Sequence, residues 1–186
     1  MSVPDAPALA GVHHVKLPVT DLARSREWYQ SRLGYQVQIE FVEQGKLMGY
    51  GLAHPNGGPM LGLRLSPERA RAAAGFDYFA IGVPGKEAID ELAVRLSMLG
   101  EDHDGVRFAS IGWILPGLHD PDGHEVRFYT IEQHAGPRAP GITTIEDPLE
   151  TSEREREWRA VATAPGQRAG ASQHVAATPL PQAHGG

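Results

Sequence analysis

Apolar residues in the first part of the chain recur with a period of two in some segments and with helical spacing in others. Residues 12–19 alternate between apolar and polar, which is typical of a half-buried strand. Asp21 can cap a helix that runs to about Leu33, where Gly34 ends it. Strand patterns then return in three segments, residues 35–42, 47–53 and 60–65.

The same order of patterns occurs again about 65 residues further along the chain. Residues 79–83 alternate as a strand, residues 86–99 have helical spacing, and residues 107–115 and 125–131 return to strand patterns. Each copy is therefore one strand, one helix and then two or three strands. This predicts an α+β fold of two tandem βαβββ modules, residues 11–66 and 76–133. A helix should cover one face of each sheet, and the opposite faces can enclose a cleft.

The composition changes near residue 135, where proline, alanine, glycine, glutamine and histidine become frequent. We therefore treat residues 1–10 as an extension before the domain and residues 134–166 as a tail after it. Asp147 and Pro148 can begin a helix near residues 148–162, with Trp158 on its apolar face. Residues 167–186 carry almost no large apolar groups, which predicts disorder because little burial offsets the entropy of ordering.

Three groups of residues, taken in order and spacing, resemble those of a known family. They are the stretch from His14 to Leu22, the helix residues Ser25, Trp28, Tyr29, Leu33, Gly34 and Tyr35, and the turn Asp120-Pro121-Asp122-Gly123-His124-Glu125-Val126. Together they look like the vicinal oxygen chelate superfamily, which includes glyoxalase I, extradiol dioxygenases, fosfomycin resistance enzymes, methylmalonyl-CoA epimerase and bleomycin resistance proteins. The resemblance covers residues 11 to about 133. It implies the glyoxalase/bleomycin resistance/dioxygenase fold with its half-barrel cleft, and pairing into a homodimer.

Strand parity sorts side chains between the helix-covered face and the cleft. Val15, Leu17 and Val19 are the apolar set of the first strand, so their alternate neighbours should face the cleft. The same parity test on the other strands adds further residues that should face the cleft. The predicted ligand-binding residues are His14, Lys16, Arg64, Tyr78, Glu125, Arg127 and Tyr129.

The resemblance also implies where a metal site would lie. Metal-dependent members place a His or Gln on the first strand, a His on the first strand of the second module and a Glu on the last strand, and some add a Glu on the last strand of the first module. In this sequence the four positions fall on His14, Tyr78, Arg127 and either Gly62 or Arg64. A divalent ion needs about three protein ligands, and an arginine would repel it. We expect no metal; the alternative is a divalent metal held by a set in which Glu125 replaces Arg127.

Charge and composition exclude several classes of chemistry and of binding partner. The chain of 186 residues has a formal charge of -6 and no cysteine, which excludes thiolate catalysis and gives no basic surface for nucleic acid. No apolar stretch approaches 18 residues, so we expect no membrane partner and a cytoplasmic location.

These observations leave three functional hypotheses open. The first is a metal-free protein that binds a small molecule, and the inward cations Lys16, Arg64 and Arg127 against Glu125 favour an anionic ligand. The second is a lyase, dioxygenase or isomerase, with a metal or with acid–base chemistry by His14, Tyr78 and Glu125. The third is a regulatory subunit with a vestigial cleft.

Overall fold

A computed structural model describes residues 11–109 and 112–132 of the chain. The predicted helix near residues 148–162, the N-terminal extension and residues 167–186, for which the sequence predicts disorder, all lie outside the described residues. The first module contains β1 (His14–Val19), α1 (Leu22–Leu33), β2 (Gln36–Glu43), β3 (Lys46–Ala53) and β4 (Met60–Leu65). After a short helix, α2 (Pro67–Ala73), the second module contains β5 (Ala80–Val83), α3 (Lys86–Met98), β6 (Arg107–Ala109), β7 (Gly112–His119) and β8 (Glu125–Thr130).

Each module folds its four strands into one mixed sheet. The first sheet has the order β1-β4-β3-β2 and the second the order β5-β8-β7-β6. In both, the strand before the long helix pairs in parallel with the last strand, and the other pairs are antiparallel. The α+β fold of two tandem βαβββ modules is thus confirmed.

The first long helix begins and ends where the sequence predicts. The Asp21 carboxylate accepts hydrogen bonds from the backbone N–H groups of Ala23 and Arg24, which satisfies donors that the helix leaves free. At the other end Gly34 adopts the left-handed conformation, φ 77°, in which a side chain would be strained.

The structure corrects the prediction for the second module in two places. Residues 107–115 are not one strand but belong to two, because Ala109 pairs with Gly112 and the chain reverses between β6 and β7. The apolar run hides this reversal, which Gly112 permits with a φ of 152°. The predicted strand at residues 79–83 begins one residue later, at Ala80. The short helix α2, between the modules, was not predicted.

The two modules share one hydrophobic core. Buried residues of the first sheet, such as Leu17 and Leu63, lie in the same cluster as Leu115 and Phe128 of the second. None of the helices within residues 11–109 and 112–132 has the length and apolar character needed to cross a membrane.

The turn between β7 and β8 fastens the second module to the first. The Asp122 carboxylate, 1% exposed, accepts hydrogen bonds from the backbone and hydroxyl of Thr20, from Arg24 and from the Ser25 hydroxyl. The neighbouring Asp120 accepts one at 3.0 Å from the Tyr29 hydroxyl. The motif residues that carry the family resemblance therefore bind one another across the module boundary.

Candidate functional site

Each sheet has one face that is buried in the shared core and one that is open. On β1, Leu17 and Val19 are fully buried while His14 and Lys16 are exposed. On β8, Val126 and Phe128 are buried, and the alternate residues Glu125, Arg127 and Tyr129 are partly exposed. The predicted binding residues on β1, β4 and β8 therefore occupy the open faces, the sides of the sheets turned away from the core.

The open face of the first sheet carries three of the predicted residues. Cross-strand pairing places Lys16 beside Gly62, and Pro18 beside Arg64. A methyl group built on Gly62 would lie 3.7 Å from both His14 Cδ2 and Lys16 Cγ, so these two side chains extend over the glycine. Lys16 and His14 form no ion pair within the part of the chain that the structure describes.

Arg64 is already bound by a carboxylate that the sequence did not indicate. Its guanidinium donates two hydrogen bonds to Glu43 at the end of β2, one of them 2.8 Å long. The Arg64 guanidinium lowers the pKa of Glu43 mainly through this hydrogen bond, and the charge of Lys16 adds to the effect. Glu43 lies just beyond the strand that the sequence predicts, residues 35–42, and before a turn. Strand parity therefore gave no signal that it would reach Arg64.

The open face of the second sheet holds a cluster around Arg127. Its guanidinium donates to both oxygens of Glu125, at 2.7 and 3.2 Å, and its Nε lies 3.2 Å from an Asp77 oxygen. The backbone N–H of Gly117 also donates to Glu125. The hydrogen bonds from Arg127, and to a lesser extent the one from Gly117, lower the pKa of Glu125. The carboxylates of Glu125 and Asp77 in turn raise the pKa of Arg127. An anionic, fully bonded Glu125 is a weak general base.

Neither aromatic residue of the predicted set reaches His14. Tyr78 lies just before β5, where its hydroxyl donates to the Ala73 carbonyl oxygen at 3.2 Å. Tyr129 lies on β8 beside Gly82, and it contributes to raising the pKa of Arg127. His14 contacts His13 instead, with 3.0 Å between their Nδ1 atoms. Among the described residues no hydrogen bond joins the two open faces, so the predicted residues form two separate groups.

The charges on the open faces balance more closely than the sequence indicated. Glu43 and Asp77 join Glu125 opposite Lys16, Arg64 and Arg127. Two of the three cations thus have carboxylate partners already. The three carboxylates equal the three cations in number, so no net positive charge remains, and among the described residues Lys16 is the cation without an ion-pair partner.

The family metal positions carry side chains unsuited to a divalent ion. Register places Ala80 beside Arg127 and Gly62 beside Lys16, and neither Ala80 nor Gly62 can supply a ligand atom. No cluster of three or more histidine or acidic side chains with metal-binding geometry occurs within residues 11–109 and 112–132. Glu125, the alternative ligand, is held by Arg127. The residues present do not fit the metal of the family.

A mostly apolar cavity lies elsewhere, between the modules on the helix side of the sheets. It has a volume of about 650 Å³ and includes none of the seven predicted residues. Its walls are mostly apolar, formed in part by Val15, Leu61, Phe79, Ile81, Leu92 and Phe128. Strand parity could not have found it, because it depends on how the two modules pack.

Comparison with known proteins agrees with the fold described above. The family described as the Glyoxalase/Bleomycin resistance protein/Dioxygenase superfamily matches residues 11–128. The chain belongs to this superfamily. No curated protein matches the chain.

Solved structures share the fold at low sequence identity. A glyoxylase/bleomycin resistance protein/dioxygenase domain from Frankia sp. EAN1pec is 24% identical, covering 66% of this chain and 98% of its own, with a TM-score of 0.54. TnmS3, an antibiotic binding protein from Streptomyces sp. CB03234, is 17% identical over 67% and 98%, with a TM-score of 0.56. The fosfomycin resistance protein FosX of Listeria monocytogenes is 16% identical over 67% and 96%, with a TM-score of 0.52.

Proposed function

We propose that the protein binds a small anionic molecule on the open faces of its sheets, without the metal of the superfamily. The observation that carries this proposal is the pair Lys16 and His14, exposed side by side over Gly62 and without a carboxylate partner among the described residues. A lysine ammonium is a flexible point charge that accepts carboxylates and phosphates in a range of geometries.

The metal-dependent alternatives have less support from the residues present. A lyase, dioxygenase or isomerase of this superfamily would need ligands where the chain has Tyr78, Arg127 and Gly62. Acid–base chemistry by Glu125 is disfavoured because Arg127 holds its pKa low. Binding of a small molecule also agrees with the role of TnmS3, an antibiotic binding protein that shares the fold.

A second copy of the chain is proposed to close the site. The predicted residues lie on two sheets whose helix-covered faces share one core, so both open faces point away from that shared core. The outer edge of β2 pairs with no strand among the described residues, and Val42 on it is 59% exposed. Unpaired edges with apolar side chains favour pairing with another chain.

A ligand screen by thermal shift tests the proposed function. Anionic, neutral and cationic metabolites are compared on the metal-free protein and on Lys16→Met, with Lys46→Met at the start of β3 as the matched control. Anionic ligands should raise the melting temperature, and their Kd should increase about tenfold in Lys16→Met, the effect of losing one charge-assisted hydrogen bond. Neutral or cationic ligands whose Kd is the same in both variants would contradict the proposal.

A further inference from the structure

Part of the edge strand β2 has its polarity reversed with respect to the core, because a register shift follows Val37, which itself packs against the core. Ile39 and Phe41 pair with Gly51 and Gly49, which places them on the open face of the first sheet. Glu40 pairs with Tyr50 on the core-covered face. An antiparallel edge strand ordinarily directs its apolar residues toward the core and its polar residues to solvent. Here Ile39 and Phe41 remain 42% and 45% exposed, so something else is expected to cover them.

Glycines beneath these side chains let them lie flat on the sheet. A methyl group built on Gly51 would lie 2.8 Å from Met60 Cε and 3.2 Å from Ile39 Cβ, and one on Gly49 would lie 3.5 Å from the Phe41 ring. A larger residue at Gly51 would displace Met60 and Ile39, whereas one at Gly49 would collide with the Leu63 carbonyl oxygen, 2.5 Å from the added carbon, and only touch Phe41. Ile39, Phe41 and Met60 thus form a low apolar surface, which we call the platform.

The platform and the free cation lie on one cross-strand row. Register aligns Lys16, Gly62, Gly51 and Ile39 across the four strands β1, β4, β3 and β2. Three spacings of about 4.8 Å separate the ends of this row, a distance of about 14 Å. Gly62 and Gly51 between them add no side chain of their own, so the surface along the row is formed by neighbouring side chains that lie low over the glycines. A flat molecule can extend along this surface from the ammonium to the platform.

We infer that the ligand is an aromatic carboxylate of about two rings, with its carboxylate at Lys16 and its rings over the platform. This inference deepens the proposed function and rests on it. A phenyl ring and a thioether favour aromatic partners, through edge or offset ring contacts and sulfur–ring contacts. The three side chains offer far less than the area of about 800 Å² per partner that a stable interface needs, so they do not by themselves hold the second copy that is proposed to close the site.

Fluorescence titration with a matched panel of carboxylates tests the inference. The panel comprises benzoate, 2-naphthoate, biphenyl-4-carboxylate, and the aliphatic octanoate and decanoate, with biphenyl-4-carboxamide as the uncharged analogue. The two-ring carboxylates should bind about tenfold or more tightly than decanoate and than the carboxamide. Phe41→Ser should weaken the two-ring carboxylates about tenfold and leave benzoate within about threefold, while Val94→Ser, at an exposed valine on α3, should leave all within about twofold.

The outcomes separate this inference from the proposed function. If decanoate binds as tightly as the two-ring carboxylates and depends on Lys16 but not on Phe41, the proposed function stands and the aromatic ligand is wrong. If no carboxylate binds at millimolar concentration, and the screen gives no anionic ligand, both are wrong. If Phe41→Ser converts a dimer to a monomer in sedimentation and abolishes all binding equally, the platform is a protein interface and the inference is overturned.

Discussion

The Arg127 guanidinium binds the carboxylate of Glu125, two residues earlier on the same strand, with a closest distance of 2.7 Å. Arg127 occupies the last-strand position at which the resemblance places a metal-binding glutamate. The strand therefore carries an internal ion pair, completed by Asp77, at the place where a metal-dependent relative would hold an ion.

Replacing Arg127 by leucine should destabilise the fold modestly. The change leaves Glu125, 14% exposed, with the Gly117 N–H as its remaining hydrogen-bond donor, and removes the partner of Asp77. The expected loss is about 1–2 kcal/mol of unfolding free energy, since the pair is only partly buried. Urea denaturation measures it. A double-mutant cycle with Glu125→Gln should show a coupling energy, and simple additivity would mean that the ion pair contributes nothing.

Acidification should remove the stabilisation that Glu125 provides. Its pKa in the folded protein lies below its ordinary value of 4.5, so the contribution is complete at pH values above 4.5 and is lost as the pH falls through the lowered pKa. In thermal unfolding between about pH 6 and pH 3, Glu125→Gln should lose less stability on acidification than the parent. The exposed helix residue Glu91 supplies the control, because Glu91→Gln should follow the parent profile.

Removing the Asp122 carboxylate should weaken the attachment between the modules. Asp122→Ala leaves the backbone N–H and the hydroxyl of Thr20 without their acceptor at a nearly buried site, at a cost of about 2–4 kcal/mol. Asp90→Ala, which breaks an exposed ion pair with Lys86, should cost less than about 0.5 kcal/mol. Equal losses in the two variants, measured by chemical denaturation, would show that the turn contact is not stabilising.

Metal content should be far below one ion per chain in protein purified without chelator or affinity tag. The reason is chemical: Tyr78, Arg127 and Gly62 stand at positions that would need histidine or glutamate. Elemental analysis gives the content, and EDTA should leave the melting temperature unchanged. One nickel, zinc, manganese or iron per chain, together with a lower melting temperature after chelation, would restore the enzyme alternative.

Pairing of two copies should appear in sedimentation velocity between about 1 and 50 µM as a concentration-dependent shift toward the dimer. Val42→Asp places a charge on the unpaired edge of β2 and should shift the equilibrium toward monomer. Sedimentation as a monomer throughout this range would contradict the proposed dimer.

Local sequence signals determined most of the fold. The Asp21 cap, the Gly34 terminus and the period-two alternation of β1 and β8 depend on residues a few positions apart, and each appears where the sequence predicts it. The family motifs added the module order. The hairpin between β6 and β7 was missed because its reversal lies inside an apolar run without a proline or Asn-Gly turn.

Strand parity alone assigned side chains to faces, but only the tertiary structure decided which of them meet. The contacts of Glu43 with Arg64 and of Asp77 with Arg127 join residues far apart in the chain, and they balance the excess of positive charge that the sequence indicated. The row from Lys16 to Ile39 likewise depends on the register of four strands. Periodicity is a property of one strand, whereas register and the packing of modules arise from pairing between strands, which no single segment of sequence encodes.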